Sequence, residues 1–205
     1  MLINVSLKYV FAVDVSAGKL LWKVNHTEAL NSAKSVAIYP DAPLIKCVTP
    51  LYRNGYIYVT GGYDHGGLML KLSGDGNQAS VSWTDELLDV HHGGVVLVNG
   101  YIYGSNWIDN SRGNWCCIDW NTGKKMYETP WNCKGSIISA EGMLYVYDEK
   151  NGNVGLVKAN PEKFDLVSSF KIKEGSGPHW AHPVIHHGKL YIRHGNALMV
   201  YNIKA

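Results

Sequence analysis

Residues 49–59 read TPLYRNGYIYV, and the same pattern returns three times further along the chain. The later copies are GVVLVNGYIYG at 94–104, SIISAEGMLYV at 136–146 and HPVIHHGKLYI at 182–192. Successive copies are 45, 42 and 46 residues apart, measured between their shared glycines, Gly55, Gly100, Gly142 and Gly188. Each copy predicts two strands joined by a tight turn, because glycine readily takes the positive φ that a two-residue hairpin turn requires.

A second motif follows the hairpins and predicts two more strands in each repeat. The stretch VDVSAGKLLW at 13–22 matches IDWNTGKKMY at 118–127, with four residues from the glycine to the aromatic in both. Looser copies are LMLKLS at 68–73, leading to Trp83, and VGLVKA at 154–159, leading to Phe170. Four antiparallel strands that recur at a period of about 45 residues are typical of the blades of a β-propeller.

We therefore predict an all-β fold of four-stranded antiparallel propeller blades, with about four blades present in a single domain spanning 1–205. A β-sandwich of similar hairpins is the alternative, but it gives no reason for a regular period. Small residues such as Gly93-Gly94 and Gly135-Ser136 precede the first strands, where backbones crowd around a propeller axis. The blades are predicted near residues 1–25 (in part), 46–86, 90–130, 133–173 and 179–205 (in part).

The composition is that of a globular protein. The 205-residue chain has 46% hydrophobic and 18% charged residues and a formal charge of +2. No run of Lys or Arg forms a patch, so nucleic acid is not an expected partner. The longest apolar stretches are too short to cross a bilayer, and the N-terminus has neither the basic start nor the long apolar core of a signal peptide. The four cysteines contain no CxxC pair, so a structural zinc site is not expected.

The second motif carries a resemblance to a known family. Its Asp-x-x-x-Gly-Lys-x-x-aromatic pattern, seen from Asp14 to Trp22 and from Asp119 to Tyr127, resembles the tryptophan-docking repeat of the quinoprotein alcohol dehydrogenase-like propellers. The resemblance extends over nearly the whole chain and includes the PQQ-like repeat proteins of bacterial envelopes, so it implies a periplasmic or cell-envelope parent protein. Family propellers usually have seven or eight blades. The resemblance therefore implies the C-terminal half of a larger propeller, completed by a missing N-terminal half or by a second copy in a homodimer.

The same resemblance implies two functions. Many family members are scaffolds that bind no quinone, including an outer-membrane assembly lipoprotein, whereas others are alcohol dehydrogenases that hold PQQ with calcium. Those dehydrogenases place a ring of two adjacent cysteines against PQQ, but Cys116 and Cys117 lie in a predicted strand and point to opposite faces. The calcium-binding Glu–Asn–Asp set of the family matches no motif here. We expect a domain without a cofactor that binds a protein partner or a small polar ligand, with a PQQ-dependent dehydrogenase fragment as the alternative.

Links between blades, and loops between the second and third strands, open on one face of a propeller. In this chain they carry histidine and tryptophan, and we call this surface the His/Trp face. Histidines there could bind a metal or act as a general base, but no Asp or Glu stands beside them at ligand spacing, so we expect no metal and no catalytic residue. Capping of neighbouring backbones and binding of a polar ligand both stay open. The candidate ligand-binding residues are Asp64, His65, His91, His92, Trp107, His179, Trp180, His182 and His194.

Four structural expectations complete the prediction. The segment His26 to Ala42 is the one irregular insertion and the one place for a helix. The chain should begin with a third and a fourth strand, at Val10–Val15 and Lys19–Val24, and end with a third strand at 197–203. Aromatic side chains of the fourth strands should be buried between blades: Trp22, Trp83, Tyr127 and Phe170. Apolar side chains of the part-blades at the two ends should be exposed: Leu2, Val10, Leu198 and Val200.

Overall fold

The computed structural model describes residues 1–30 and 46–203, and its regular structure is almost entirely β. In these residues eighteen strands form five antiparallel sheets, three of four strands and two of three. The predicted all-β class and four-stranded blades are thereby confirmed. Helix α1 (His26–Leu30) lies in the predicted insertion, and residues 31–42 of that insertion lie outside the described residues. No helix within the described ranges is long and apolar enough to span a membrane.

Each of the four predicted hairpins is present, and all four share one turn geometry. The first central residue of each turn has a φ between 47° and 53°, and the glycine after it has a φ between 71° and 87°. Positive φ at both central positions defines a type I′ turn, whose twist matches the right-handed twist of the flanking strands. The turns comprise Asn54-Gly55, Asn99-Gly100, Glu141-Gly142 and His187-Gly188.

The first of the chain's two compact units is Met1–His91, and it holds two sheets, ordered β1-β2-β3 and β4-β5-β6-β7. The expectation that the chain begins with only a third and a fourth strand was wrong, because Leu2–Val5 pairs with the next strand as a second strand of the blade. The strands are β1 (Leu2–Val5), β2 (Tyr9–Val13), β3 (Leu20–Asn25), β4 (Leu51–Arg53), β5 (Tyr56–Gly61), β6 (Gly66–Leu72) and β7 (Ala79–Asp85).

The core of this unit lies between its two sheets. Val10, Ala12 and Trp22 pack against the apolar side chains of β5 and β6. Trp22 is 8% exposed, as predicted, and its Nε1 donates a hydrogen bond to the Gly76 carbonyl at 3.1 Å. Val10 was expected to be exposed but is fully buried, because its middle strand turns this face towards the second sheet. Trp83 is only partly buried and lies 5.6 Å from the Tyr58 ring.

The second unit, His92–Ala205, holds three sheets, ordered β8-β9-β10-β11, β12-β13-β14-β15 and β16-β17-β18. The last sheet ends on a third strand, as predicted. The strands are β8 (Val95–Val98), β9 (Tyr101–Ser105), β10 (Trp115–Asp119), β11 (Lys125–Thr129), β12 (Gly135–Ala140), β13 (Met143–Asp148), β14 (Asn153–Lys158), β15 (Asp165–Lys171), β16 (Val184–His186), β17 (Lys189–His194) and β18 (Ala197–Asn202).

Aromatic packing in this unit follows the prediction in part. Tyr127 is buried in the core between the first two sheets. Phe170 was predicted to be buried but is 40% exposed, because it lies on the edge strand β15, and its ring packs against Tyr201 at 4.8 Å between centroids. The most completely buried indole of this unit is instead Trp115, which packs edge-on against Trp131.

A β-bulge marks the last strand pair of the four sheets that carry the Asp-Gly motif or its looser copies. Each bulge adds local twist to the outer strand, so the bulge is a structural counterpart of the second sequence motif. The irregularities lie at Ala12/Val13, Met69/Leu70, Cys117/Ile118 and Leu156/Val157.

Candidate functional site

The candidate residues of the His/Trp face divide between the two compact units. Asp64, His65 and His91 belong to the first unit. The others belong to the second unit, where the structure brings three of them together at one place: His92, Trp180 and His182.

A buried carboxylate organises this place. Glu149 is 9% exposed; its Oε2 lies 3.0 Å from His92 Nε2, and its Oε1 lies 2.6 Å from Lys134 Nζ. Sequence spacing gave no acidic partner for these histidines at ligand spacing, and the fold supplies one to His92, because it brings Glu149 from a loop more than fifty residues away. We call His92, Lys134, Glu149, Trp180 and His182 the Glu149 cluster.

Three chain segments position the charged groups of the Glu149 cluster. Glu149 directly follows β13, Lys134 directly precedes β12, and the Glu149 backbone N–H donates to the Lys134 carbonyl at 3.0 Å. Lys134 Nζ also donates to the Asp109 carbonyl at 2.9 Å. His92 precedes Gly93, where a Cβ would lie 1.9 Å from the Gly135 carbonyl, so this link requires a glycine.

The charges of the Glu149 cluster are paired within it. Burial alone would raise the pKa of Glu149, but hydrogen bonds from His92 and Lys134, together with the Lys134 charge, outweigh it and hold the pKa below its usual value. Glu149 is therefore a carboxylate that accepts on both oxygens, which limits its capacity to act as a base or to bind a metal.

The outer part of the Glu149 cluster is aromatic. The Trp180 ring is 58% exposed and lies edge-on to the His92 ring, 5.5 Å between centroids. His182 Nε2 lies 2.9 Å from the His92 carbonyl. The exposed Trp180 indole thus packs against His92, and the contact of His92 with the buried Glu149–Lys134 ion pair fixes the position of the histidine.

His179 and His194 form a separate, buried stack in the same unit. Their rings lie 3.6 Å apart and nearly parallel, and the Tyr147 hydroxyl is 2.5 Å from His179 Nδ1. Burial, and secondarily the charge of His194, lower the pKa of His179. Both ring nitrogens of His194 lie 2.7 Å from backbone carbonyls, those of Glu174 and Gly177. These two histidines fit the capping alternative, and Tyr147 is a partner that sequence reasoning missed.

The remaining candidates lie elsewhere. In the first unit, His65 is 4% exposed, and the Asp64 backbone N–H donates to Asp89 Oδ2 at 2.8 Å. The His91 ring contacts the Tyr63 ring edge-on at 4.9 Å. In the second unit, Trp107 is buried and its Nε1 donates to Asn110 Oδ1 at 3.3 Å.

A quinone or metal centre would place requirements on the cysteines and on the acidic and histidine side chains. Cys116 and Cys117 are free thiols in β10. Cys117 belongs to the apolar core between two sheets, and alternation along the strand directs Cys116 to the other face. The vicinal cysteine ring of quinone enzymes therefore does not fit this strand. Across residues 1–30 and 46–203, no group of three or more His, Cys, Asp or Glu side chains is arranged to hold a metal ion.

Comparison with known proteins shows similarity at the level of the fold. No protein-family model and no curated protein matches the chain. BamB from Moraxella catarrhalis superposes with a TM-score of 0.66 at 15% identity, over 97% of this chain and 56% of BamB. A quinohemoprotein alcohol dehydrogenase from Pseudomonas putida HK5 gives 0.64 at 14% identity, over 96% of this chain and 39% of the enzyme. The computationally designed protein Ika8 gives 0.59 at 11% identity, over 98% of this chain and 57% of Ika8.

These likenesses are too distant in sequence to carry an activity. A computationally designed protein matches nearly as well as an enzyme, so the similarity is one of backbone architecture. The chain spans about half the length of BamB, so what a whole protein of this kind does cannot be transferred to it. BamB and the quinohemoprotein dehydrogenase are β-propellers, and this chain has the β-propeller fold.

Proposed function

We propose that this chain is a non-catalytic β-propeller domain that binds a protein partner or a small polar ligand through the Glu149 cluster. The observation that carries the proposal is the exposed ring of Trp180, which lies against His92; His92 in turn contacts Glu149 of the buried Lys134–Glu149 pair. Tryptophan is enriched among the residues that dominate binding energy, because its ring offers a large apolar area and one polar N–H.

The pairing of charges within the cluster favours binding over catalysis. A general base must reach the proton that it removes. Here both Glu149 oxygens already accept from side chains of the protein, and Lys134 is 3% exposed and donates to Glu149 and to a backbone carbonyl. What faces solvent is the indole and the histidine edges. This arrangement suits contact with an external surface or ring.

The proposal includes the absence of a quinone cofactor. Its support is the position of Cys116 and Cys117 as free, buried thiols in the strand β10. Titration with PQQ and calcium tests this directly, with tryptophan fluorescence reporting binding and an artificial electron acceptor reporting turnover. We expect neither signal. Stoichiometric binding accompanied by reduction of the acceptor dye would establish the alternative, a fragment of a PQQ-dependent dehydrogenase.

A matched pair of exposed aromatics tests the binding surface. Trp180 in the Glu149 cluster is 58% exposed, and Tyr52 on β4 is 62% exposed but lies in the other unit. A photo-crosslinking amino acid at position 180 should give one defined adduct in an extract of the source organism, and excess unmodified chain should abolish it. The same group at position 52 should give none. Equal labelling at both positions would contradict the proposal.

Small ligands are tested with the same pair of positions. Neutral saccharides, dicarboxylates and short peptides are titrated against the wild type, Trp180→Ala and Tyr52→Ala, with fluorescence and calorimetry as readouts. We expect saturable binding that is lost only in Trp180→Ala. Binding that survives this substitution would place the ligand elsewhere.

We further propose that the parent protein resides in the bacterial envelope and that the outward faces of the end sheets are covered by a second copy or by an N-terminal half belonging to a longer parent protein. The envelope location rests on the family resemblance of the repeat. The proposal that these faces are covered is supported by their exposed apolar side chains: Leu2 is 55% exposed, Leu198 65% and Val200 49%.

A further inference from the structure

Three basic side chains in the first unit have polar atoms that are buried without a partner. His26 is fully buried, and neither of its ring nitrogens has a hydrogen-bond partner among the described residues. The same holds for Nε2 of His65, which is 4% exposed, and for Nζ of Lys46. Buried polar atoms in native proteins nearly always have a partner, so several unpaired atoms in one region call for an explanation.

The fold places these three groups near one another. His26 is the first residue of α1, and this helix packs on β6 through Ala29 and Leu30. His65 directly precedes β6. The Lys46 ammonium lies close enough to both rings to lower their pKa, after burial, which is the larger cause for each. Burial alone lowers the pKa of Lys46 to about 7.

The carboxylates around this region do not neutralise it. Asp64 raises the pKa of His65, but burial and Lys46 outweigh that effect. Asp89 is held at the loop before β6 through one oxygen, since its Oδ2 accepts from the Asp64 N–H at 2.8 Å, while its buried Oδ1 has no hydrogen-bond partner among the described residues. Burial, partly offset by that hydrogen bond, raises the pKa of Asp89 to about 7, so its negative charge is itself weakened. Among the described residues, the groups that shift the pKa of His26 are Lys46 and His65, and no carboxylate is one of them.

We propose that His26, Lys46 and His65 form a binding site for a small oxyanion, one that presents carboxylate or phosphate oxygens. An oxyanion accepts several hydrogen bonds at once and would pair with the N–H groups of all three side chains, through charge-assisted bonds. A cation is disfavoured because Lys46 supplies no lone pair when protonated. The site belongs to the first unit and does not depend on the function of the Glu149 cluster.

Calorimetry and thermal unfolding of the full chain test the site, with inorganic phosphate, sulfate and citrate as separate probes. The wild type should bind at least one probe saturably and melt at a higher temperature with it. Tighter binding of phosphate and sulfate than of citrate would indicate a phosphate-type ligand, and the reverse order would indicate a carboxylate ligand. Lys46→Met should weaken binding about tenfold or more, as expected for loss of a hydrogen bond to a charged group. Lys71→Met, at an exposed lysine of the same unit, should bind as the wild type does.

Two further readouts separate an anion site from a structural role. Bound anion should raise the pKa of all three groups, so binding should take up protons and weaken as the pH rises from about 6 to about 8. Without a probe, Lys46→Met should be at least as stable as the wild type, because it removes an unpaired buried group. His65→Gln, which keeps one donor, should bind with intermediate affinity.

If a variant fails to fold, a crystal structure of the wild-type chain with a bound anion still tests the proposal. A crystal grown with selenate should show an anomalous peak within contact distance of the three side chains, and water there in its place would overturn the proposal. So would the absence of saturable binding for all three probes, or binding that is unchanged in both Lys46→Met and His65→Gln.

Discussion

Replacing Glu149 by Gln should destabilise the second unit by about 3 kcal/mol, the lower end of the cost of breaking a buried ion pair. The Lys134 side chain is 4% exposed, and its Nζ is 2.6 Å from Glu149 Oε1. Unit charges 4 Å apart attract by about 4 kcal/mol at an effective dielectric constant of 20. Gln keeps an acceptor oxygen but removes the charge, so the ammonium keeps only neutral acceptors. We expect the lower end of that energy range because the Gln side-chain oxygen still accepts one hydrogen bond from Lys134.

Urea unfolding, followed by tryptophan fluorescence and by circular dichroism, measures this change. Asp165→Asn is the control, because its partner Lys163 is 68% exposed and 3.8 Å away, and such a surface pair contributes less than about 1 kcal/mol. The double variant Lys134→Met/Glu149→Leu should recover most of the lost stability, since no charge is left buried. If Glu149→Gln costs no more than Asp165→Asn, the buried pair does not stabilise the fold as argued.

The same carboxylate predicts the sign of a pH dependence. The folded-state pKa of Glu149 lies below its ordinary value of 4.5. Its contribution to stability is therefore complete above about pH 4.5 and is lost as the pH falls through the folded-state pKa. Between about pH 5 and pH 3, the unfolding midpoint of the wild type should fall more steeply than that of Glu149→Gln. Parallel curves would show that another group governs acid unfolding.

Three other predictions follow from burial. Trp22→Ala should cost about 3–5 kcal/mol, whereas Phe170→Ala, at a ring that is 40% exposed, should cost distinctly less; equal losses in urea unfolding would contradict the packing. Cys116 and Cys117 should resist alkylation in the native chain and react once it is unfolded, and a disulfide between them in mass spectrometry would contradict the free thiols of β10. Burial raises the pKa of Cys117 to about 12, which slows its reaction further. Sedimentation at micromolar concentration should show self-association through the exposed end-sheet faces, and a stable 22.7 kDa monomer would contradict their cover by a second copy.

The repeat predicted the sheets well because each blade is encoded locally. Turn glycines and alternating apolar residues specify a hairpin within about a dozen residues, so Gly55 and its counterparts were enough. The strand β1 escaped prediction because it is four residues long and its turn, between Ser6 and Tyr9, carries no glycine. A short strand without a turn signal forms because a neighbouring strand pairs with it, and the repeat period of the sequence does not reveal that pairing.

The burial of individual side chains and the geometry of the site were harder to predict, because both depend on tertiary contacts between different sheets. Phe170 occupies the repeat position of Trp22 yet remains exposed, since exposure depends on whether another sheet covers that strand. Glu149 joined His92 only through the fold, since the two lie in loops of different sheets. The predicted face contained the right residue types, but the ion pair that fixes their positions could not be read from spacing.

The four shared turns also bear on how the chain folds. Type I′ turns favour Asn-Gly strongly, and this dipeptide occurs at Asn54-Gly55 in the first unit and at Asn99-Gly100 in the second. The other two turns have Glu141 and His187 at the first central position, where type I′ turns prefer Asn, Asp or Gly. Hairpins form on the order of microseconds when their turn is encoded locally. Each unit thus contains one hairpin able to nucleate early and without the other unit, and the less favourable turns can close later on strands that are already paired.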